Sequence, residues 1–354
     1  MPEPSNRYDL TAARNHAKPN QQARLRSQTI DVHTHVVIPA AADIVRPHLK
    51  PDPRAAAYTE DTRILNRRQD EDRTPNLVNL DLRLRDYDAM GLEAQIISPA
   101  PGQCYDAVPP EVGVEAARAV NEGIAAIAAA RPQRIVGALG SAPLGAGGAA
   151  AAAELEHCIM ELKLKGVEVL AHVGDRELAD PEFEPFWSMA EALGAVVFIH
   201  PAGFTEPRRF GRYYFNNIIG NPLDTTLALH HLIFAGVLER YPNLKIVAAH
   251  GGGYLPAYAG RADHGWGARS DAHGTLPKPP SAYLKKVFVD SIVFTPQQLE
   301  ALVAFFGAGH VLLGTDYPYD MGEYDPLGHL ASAALADRDR AAIAGGNARA
   351  LFGV

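Results

Sequence analysis

The stretch Thr29-Ile30-Asp31-Val32-His33-Thr34-His35 opens the regular part of the chain. Read as a β-strand, it places side chains two apart on one face. His33 and His35 then point the same way, while Val32 and Thr34 take the other face. A single His-x-His pair is a weak sign, so its weight rests on whether other ligand-type residues arrive at matching places. The residues that follow also bear on the fold. His35-Val36-Val37-Ile38-Pro39 lacks the glycine-rich phosphate turn that an open doubly wound sheet wants after its first strand.

Working outward, short apolar runs alternate with helical patterns. Residues 36–80 hold several prolines and the charged run Glu60 to Arg73, which reads as an insertion with little core of its own. Leu80, Leu82, Leu84, Tyr87 and Met90 then predict a helix ending at Gly91. Strands follow at 94–98, 135–139, 166–171, 195–199, 245–249, 287–292 and 311–314. Between them lie helical patterns at 110–130, 149–164, 181–193, 222–240 and 296–306, with a last one at 337–352. Eight strands alternating with helices are the mark of parallel βαβ units. The α/β fold expected is therefore a closed (β/α)8 TIM barrel, with an N-terminal arm over residues 1–28 and one domain over 29–354 that carries the insertion near 36–80.

The bulk numbers agree with a globular enzyme and narrow its partners. The chain has 354 residues, 47% of them hydrophobic and 21% charged, ample for a large core. Its formal charge of −8 argues against a general nucleic-acid binder. No run approaches the length of a membrane span, and residues 1–28 lack the apolar core of a secretory signal. Cys104 and Cys158 are too far apart for a thiolate metal site, and read as reduced thiols of a cytoplasmic protein.

A barrel of this kind carries its active site at the C-terminal ends of its strands. Strand one ends in His33 and His35, strand five in His200-Pro201, strand six in His250-Gly251-Gly252-Gly253, and strand eight in Gly314-Thr315-Asp316-Tyr317-Pro318. One buried histidine is usually a hydrogen-bonded structural residue. Four such exits together are harder to dismiss. Three histidines and a carboxylate with an open position suit Zn²⁺ or a similar divalent ion such as Mn²⁺. The ligands expected are His33, His35, His200 and Asp316, with His250 as acid/base beside them. Such an ion lowers the pKa of bound water to about 7 or polarises a substrate oxygen. The strand-four exit, Val169-Leu170-Ala171-His172, carries no lysine to bridge a second ion, so a mononuclear site is expected.

These motifs, with Gly166-Val167-Glu168-Val169, Phe288-Val289-Asp290-Ser291 and Asp316-Tyr317-Pro318-Tyr319-Asp320-Met321-Gly322-Glu323, resemble the amidohydrolase superfamily. The resemblance is to its decarboxylase branch, that of the aminocarboxymuconate-semialdehyde decarboxylases, and runs from about Leu82 to Phe352. It implies a homodimeric carboxy-lyase that releases CO₂ from a small carboxylated aromatic or unsaturated acid without oxygen. It further implies that Arg261 and Arg269 help hold the substrate carboxylate, partly across the dimer interface. An arginine of the first insertion would join them, with Arg63 favoured over Arg67 and Arg68. The residues after Pro201, Ala202-Gly203, depart from the branch and alter a pocket wall. The same ligand shell also serves hydrolysis of an amide, ester or lactone, and the residues do not separate the two reactions.

Overall fold

A computed structural model describes residues 28–50, 53–201, 203 and 209–354. The expected arm lies almost wholly outside the described residues, as does most of the loop after Pro201. The described chain forms a barrel of parallel strands: β1 (Ile30–Asp31), β2 (Ala94–Pro99), β3 (Ile135–Ser141), β4 (Gly166–Leu170), β5 (Val196–His200), β6 (Lys245–Ala248), β7 (Phe288–Asp290) and β8 (Val311–Leu312). They pair in sequence order, each parallel to the next. The ring closes between its ends, where Val32 N donates to Leu313 O at 2.9 Å and Thr34 bridges in parallel to Tyr317. The expected (β/α)8 barrel is therefore the fold.

Two apolar cores hold it together. Ile30, Val32, Ile96, Leu139, Phe198, Val247 and Leu312 form an inner cluster. Ala348, Leu351 and Phe352 of the last helix belong to the same cluster and plug one end of the barrel. Outside the strands, a larger cluster joins alternate strand residues such as Ile97, Val167 and Ile199 to the apolar faces of the surrounding helices. The period of two along each strand sends neighbouring residues to the two different cores.

Helices 110–130 and 296–306 match their sequence boundaries. Each begins with proline at its first position, where the missing N–H has no intrahelical partner to lose. Three expectations need adjustment. The first strand breaks after Asp31 and resumes at His35–Val36, because His33 N donates to the Asp31 carboxylate at 3.0 Å instead of to a neighbouring strand. The charged insertion contains a 19-residue helix, Glu60–Val78, capped by the Thr59 hydroxyl. It is polar nearly all round, with only Gln69 and Leu77 buried, so apolar periodicity gave no sign of it. The pattern read as one helix over 337–352 is interrupted by a π-helical turn at Ala342–Gly346.

Phe352 is almost fully buried at the barrel plug. Phe352→Ala is expected to lower stability by about 3–5 kcal/mol through lost burial and a residual cavity, read as a shift of the urea unfolding midpoint at unchanged slope.

Candidate metal centre

The break in the first strand is what forms the site. Ile30 and Val32 both join the inner core, and the bend after Val32 brings His33 inward as well, with its ring 4.9 Å from that of Phe198. His33, His35 and His200 sit with their ring centroids 5.0–5.1 Å apart, each pair nearly perpendicular. His250 lies 5.2 Å from His33 and 5.3 Å from His200. Asp316 faces all of them except that its nearest contacts are with His35 Nε2 at 3.2 Å, His33 Nε2 at 3.3 Å and His250 Nε2 at 3.4 Å. All five residues expected at the site thus meet at one end of the barrel.

Proton positions follow from the partners. His35 Nδ1 lies 2.9 Å from Pro99 O, and His200 Nδ1 lies 2.6 Å from Pro201 O. A carbonyl oxygen only accepts, so each Nδ1 carries the hydrogen and each Nε2 presents a lone pair. His33 Nδ1 meets the Asp290 carboxylate at 2.7 Å, with the same result. The Nε2 atoms of His33, His35 and His200, and Asp316 Oδ1, are then buried with no hydrogen-bond partner. Buried acceptors left unpaired cost about 1–3 kcal/mol each. A divalent cation is the partner that four such atoms share, and the donor set of imidazole and carboxylate suits it.

Among the described residues, one group has the geometry of a metal site by mutual distance alone: single atoms of His33, His200, His250 and Asp316 all lie within 4.8 Å of one another. His35 stands beside that group through its Asp316 contact. His250 differs from the other histidines. Its Nδ1 has no partner, its side chain is the most exposed of the four at 15%, and no carbonyl fixes its tautomer.

The electrostatics favour positive charge here. Burial disfavours protonation of His33, yet the charge of Asp316 and the hydrogen bond to Asp290 outweigh it and raise the pKa to about 10. Burial pushes Asp316 upward, but the surrounding histidines hold it well below the ordinary carboxylate range. His200 goes the other way, held neutral by burial and by the neighbouring imidazoles. Glu168 on β4, fully buried 3.7 Å from His35 Nδ1, is pushed up to about 8 by burial.

Two of these residues occupy unusual backbone conformations. His250 has φ +55° and Asp316 has φ +59°. Non-glycine residues there cost about 1–3 kcal/mol and persist only where the surroundings hold them. The run Gly251-Gly252-Gly253 is also wholly at positive φ. A Cβ on Gly253 would stand 2.2 Å from Pro222 O. Close approach and left-handed backbone account for the three glycines, with no phosphate loop needed.

Around the site lie residues that sequence patterns did not single out. Asp31 accepts from His33 N, Thr315 N, Thr315 Oγ1 and Tyr87 Oη, and so joins the exits of β1 and β8. Buried Arg83 donates to His35 O at 2.6 Å and to the Thr34 hydroxyl. Tyr319 stacks edge-on to His35 at 5.2 Å, and the Arg73 guanidinium sits 4.5 Å over the Tyr319 ring. Asp320 accepts from Gln69 Nε2 at 2.7 Å and Tyr214 Oη at 3.2 Å, tying the insertion helix and the loop after β5 to the loop after β8. The arginines expected at the substrate are placed elsewhere. Arg63 is exposed and donates to Glu60 and to Tyr58 O. Arg269 is exposed and pairs with Asp271 at 2.7 Å. Arg261 is exposed on the helix Leu255–Ala268.

With this geometry in view, the kinship of the chain is decided by a family model described as Amidohydrolase, which matches residues 30–354. The chain belongs to the amidohydrolase family. Within it, the chain is 35% identical over 277 residues to 2-amino-3-carboxymuconate-6-semialdehyde decarboxylase of Dictyostelium discoideum, covering 77% of this chain and 76% of the relative. It is 31% identical over 228 residues to 6-methylsalicylic acid decarboxylase of Penicillium expansum, covering 63% and 68%. The crystal structure of 5-carboxyvanillate decarboxylase LigW from Sphingomonas paucimobilis superposes with a TM-score of 0.81 at 26% identity, over 92% of this chain and 99% of that one. This amidohydrolase thus has decarboxylases among its relatives, and among the described residues no helix is long and apolar enough to cross a membrane.

Asp31 serves four donors, three of them on the site-bearing segments. Asp31→Ala is expected to cost at least about 3 kcal/mol, since several buried donors lose their acceptor at about 1–3 kcal/mol each. Chemical denaturation of the purified variant measures it.

Proposed function

We propose that this chain is a metal-dependent, non-oxidative decarboxylase, an amidohydrolase-family carboxy-lyase acting on a small carboxylated aromatic or unsaturated acid. The observation that carries the reading is the convergence of three buried, unpartnered Nε2 atoms with Asp316 Oδ1 at the barrel end, each histidine's other nitrogen being engaged. The relatives named as decarboxylases support the reaction type. His33, His35, His200 and Asp316 would hold the ion, zinc being the expected one and manganese the alternative. When bound, the ion supplies a Lewis acid that polarises an oxygen of the substrate.

The remaining work falls to this chain's own side chains. As the bond to the carboxyl group breaks, CO₂ leaves and the electron pair stays on the substrate carbon. His250, the least enclosed imidazole of the site, delivers a proton to that carbon and is reloaded from water. Asp316 Oδ2 at 3.4 Å holds its Nε2 edge toward the reacting region. Arg73 takes the part first assigned to Arg63 as the insertion's carboxylate-binding arginine, because its guanidinium reaches Tyr319 beside His35 while Arg63 is tied to its own helix turn. Arg261 and Arg269 would contribute across a homodimer interface, consistent with their exposed places on one side of the molecule's helix Leu255–Ala268 and its end. Two buried free thiols, Cys104 and Cys158, suit a cytoplasmic location.

Elemental analysis after gentle purification, followed by CO₂ trapping from a panel of aromatic and muconate-type acids, tests the reading. Near-stoichiometric zinc or manganese is expected, with CO₂ release abolished by a chelator and restored by adding the ion back. Turnover without CO₂ would mean hydrolysis instead, and absence of metal with no response to added metal would sink the proposal. On an accepted substrate, Arg73→Ala should raise KM about tenfold or more, the loss of a charge-assisted hydrogen bond worth about 1.5–3 kcal/mol. Arg63→Ala should leave KM near the wild-type value, and steady-state kinetics on the pair decides between them.

A further inference from the structure

Asp290, the last residue of β7, is fully buried and has no part in the ligand set or the proton transfer described above. Its two oxygens serve four donors. Oδ2 lies 2.7 Å from His33 Nδ1 and accepts from His250 N at 2.8 Å. Oδ1 accepts from Gly251 N at 2.9 Å and from Ile292 N at 3.0 Å. One carboxylate oxygen therefore bonds both the side chain of a metal-binding histidine and the backbone of the proton-transferring one.

We propose that Asp290 is a positioning residue that couples the two halves of the active site, setting His33 for the cation and His250 for proton transfer at once. The proposal rests on the reading of His33 as a ligand and His250 as the acid/base. Accepting from Nδ1 keeps the hydrogen on that nitrogen, which leaves the Nε2 lone pair for the ion and raises its basicity. Accepting from His250 N and Gly251 N holds the turn in which His250 takes φ +55°, a conformation that needs such support. The Ile292 N–H, two residues along the same chain, fixes the carboxylate's own rotamer.

The neighbourhood leaves this arrangement little freedom. A Cβ on Gly314 would stand 3.0 Å from both the Asp290 and the His33 Cβ atoms. Glycine at that strand exit lets the two side chains lie side by side. Asp316 also touches His33 and His250, but on their Nε2 edges. Asp290 holds the pair from the opposite side, through the Nδ1 edge of one and the main chain of the other. Shifts in its position would move ligand and acid/base together, which is why the coupling is assigned to this residue.

Asp290→Asn keeps the shape but offers one oxygen in place of two, so two of the four donors lose their acceptor and face an amide N–H₂. Metal affinity, measured on the folded variant by competition of zinc with a chromophoric chelator, should fall about 10–100-fold, the usual effect of removing a partner of a ligating histidine. At saturating metal, kcat should remain at least about tenfold below wild type with KM changed much less, as expected when positioning in the transition state is lost. The visible spectrum of the cobalt-loaded variant should shift as the His33 ligand field changes. Unchanged affinity would overturn the proposal, and full recovery of kcat at saturating metal would overturn the coupling to His250. If Asp290→Asn does not fold, Asp290→Glu carries the same measurements. Failure of both to fold would make Asp290 a residue of the fold alone and overturn the assignment. Wild-type protein measured alongside separates the readings: no metal binding there sinks the metal site itself, whereas wild-type binding that the variant retains sinks only the role of Asp290.

Discussion

Four lone-pair atoms, three imidazole nitrogens and a carboxylate oxygen, are packed together at one end of the barrel with nothing in the polypeptide to satisfy them. Buried groups of this kind are a free-energy cost that a folded chain normally avoids. Everything around them keeps the cost in place. Backbone carbonyls and Asp290 occupy each Nδ1 and forbid the rings from turning their lone pairs elsewhere. The charge of Asp316 is then balanced only by drawing in a positive partner, and the raised pKa of His33 expresses that demand in protons. A divalent ion answers it better than a proton, because one cation serves all four atoms.

The barrel supplies the rigidity this requires. Parallel pairing brings each strand's C-terminal end to one side, so residues as distant in sequence as His33 and Asp316 become neighbours. The closing seam between β1 and β8 is the delicate point, since both of its strands are short and both lead into ligands. Asp31 fastens it from inside with four accepted hydrogen bonds, and Arg83 braces the carbonyl of His35. On the other flank Asp290 joins β7 to the exits of β1 and β6. Three buried carboxylates thus share the task, one presumed to face the cation's position and two holding the elements that aim at it.

Much of this was legible in the linear chain for plain reasons. Proline at the first turn and apolar periodicity marked the helices 110–130 and 296–306. Short apolar runs ending in His or Asp marked the strands and their exits together, because a barrel strand is buried on both sides and turns polar only where it leaves. The insertion was less readable. A helix whose stability comes from capping and i,i+3 charge pairs such as Glu60–Arg63 shows no hydrophobic stripe. Arg73 consequently could not be told from the other arginines of that run until the helix was seen to carry it over Tyr319.

The sequence by itself determined the alternation of strands and helices, the closed barrel, and the set of histidines and Asp316 that meet at its end, since these follow from local periodicity and from a topology that gathers strand exits. Tertiary structure alone decided where the first strand breaks, which nitrogen of each imidazole is free, which arginine of the insertion comes near, and that Asp31 and Asp290 clamp the site from two sides. Those features depend on distances between segments up to 284 residues apart, and a hydrogen bond across that separation leaves no periodic trace in the chain.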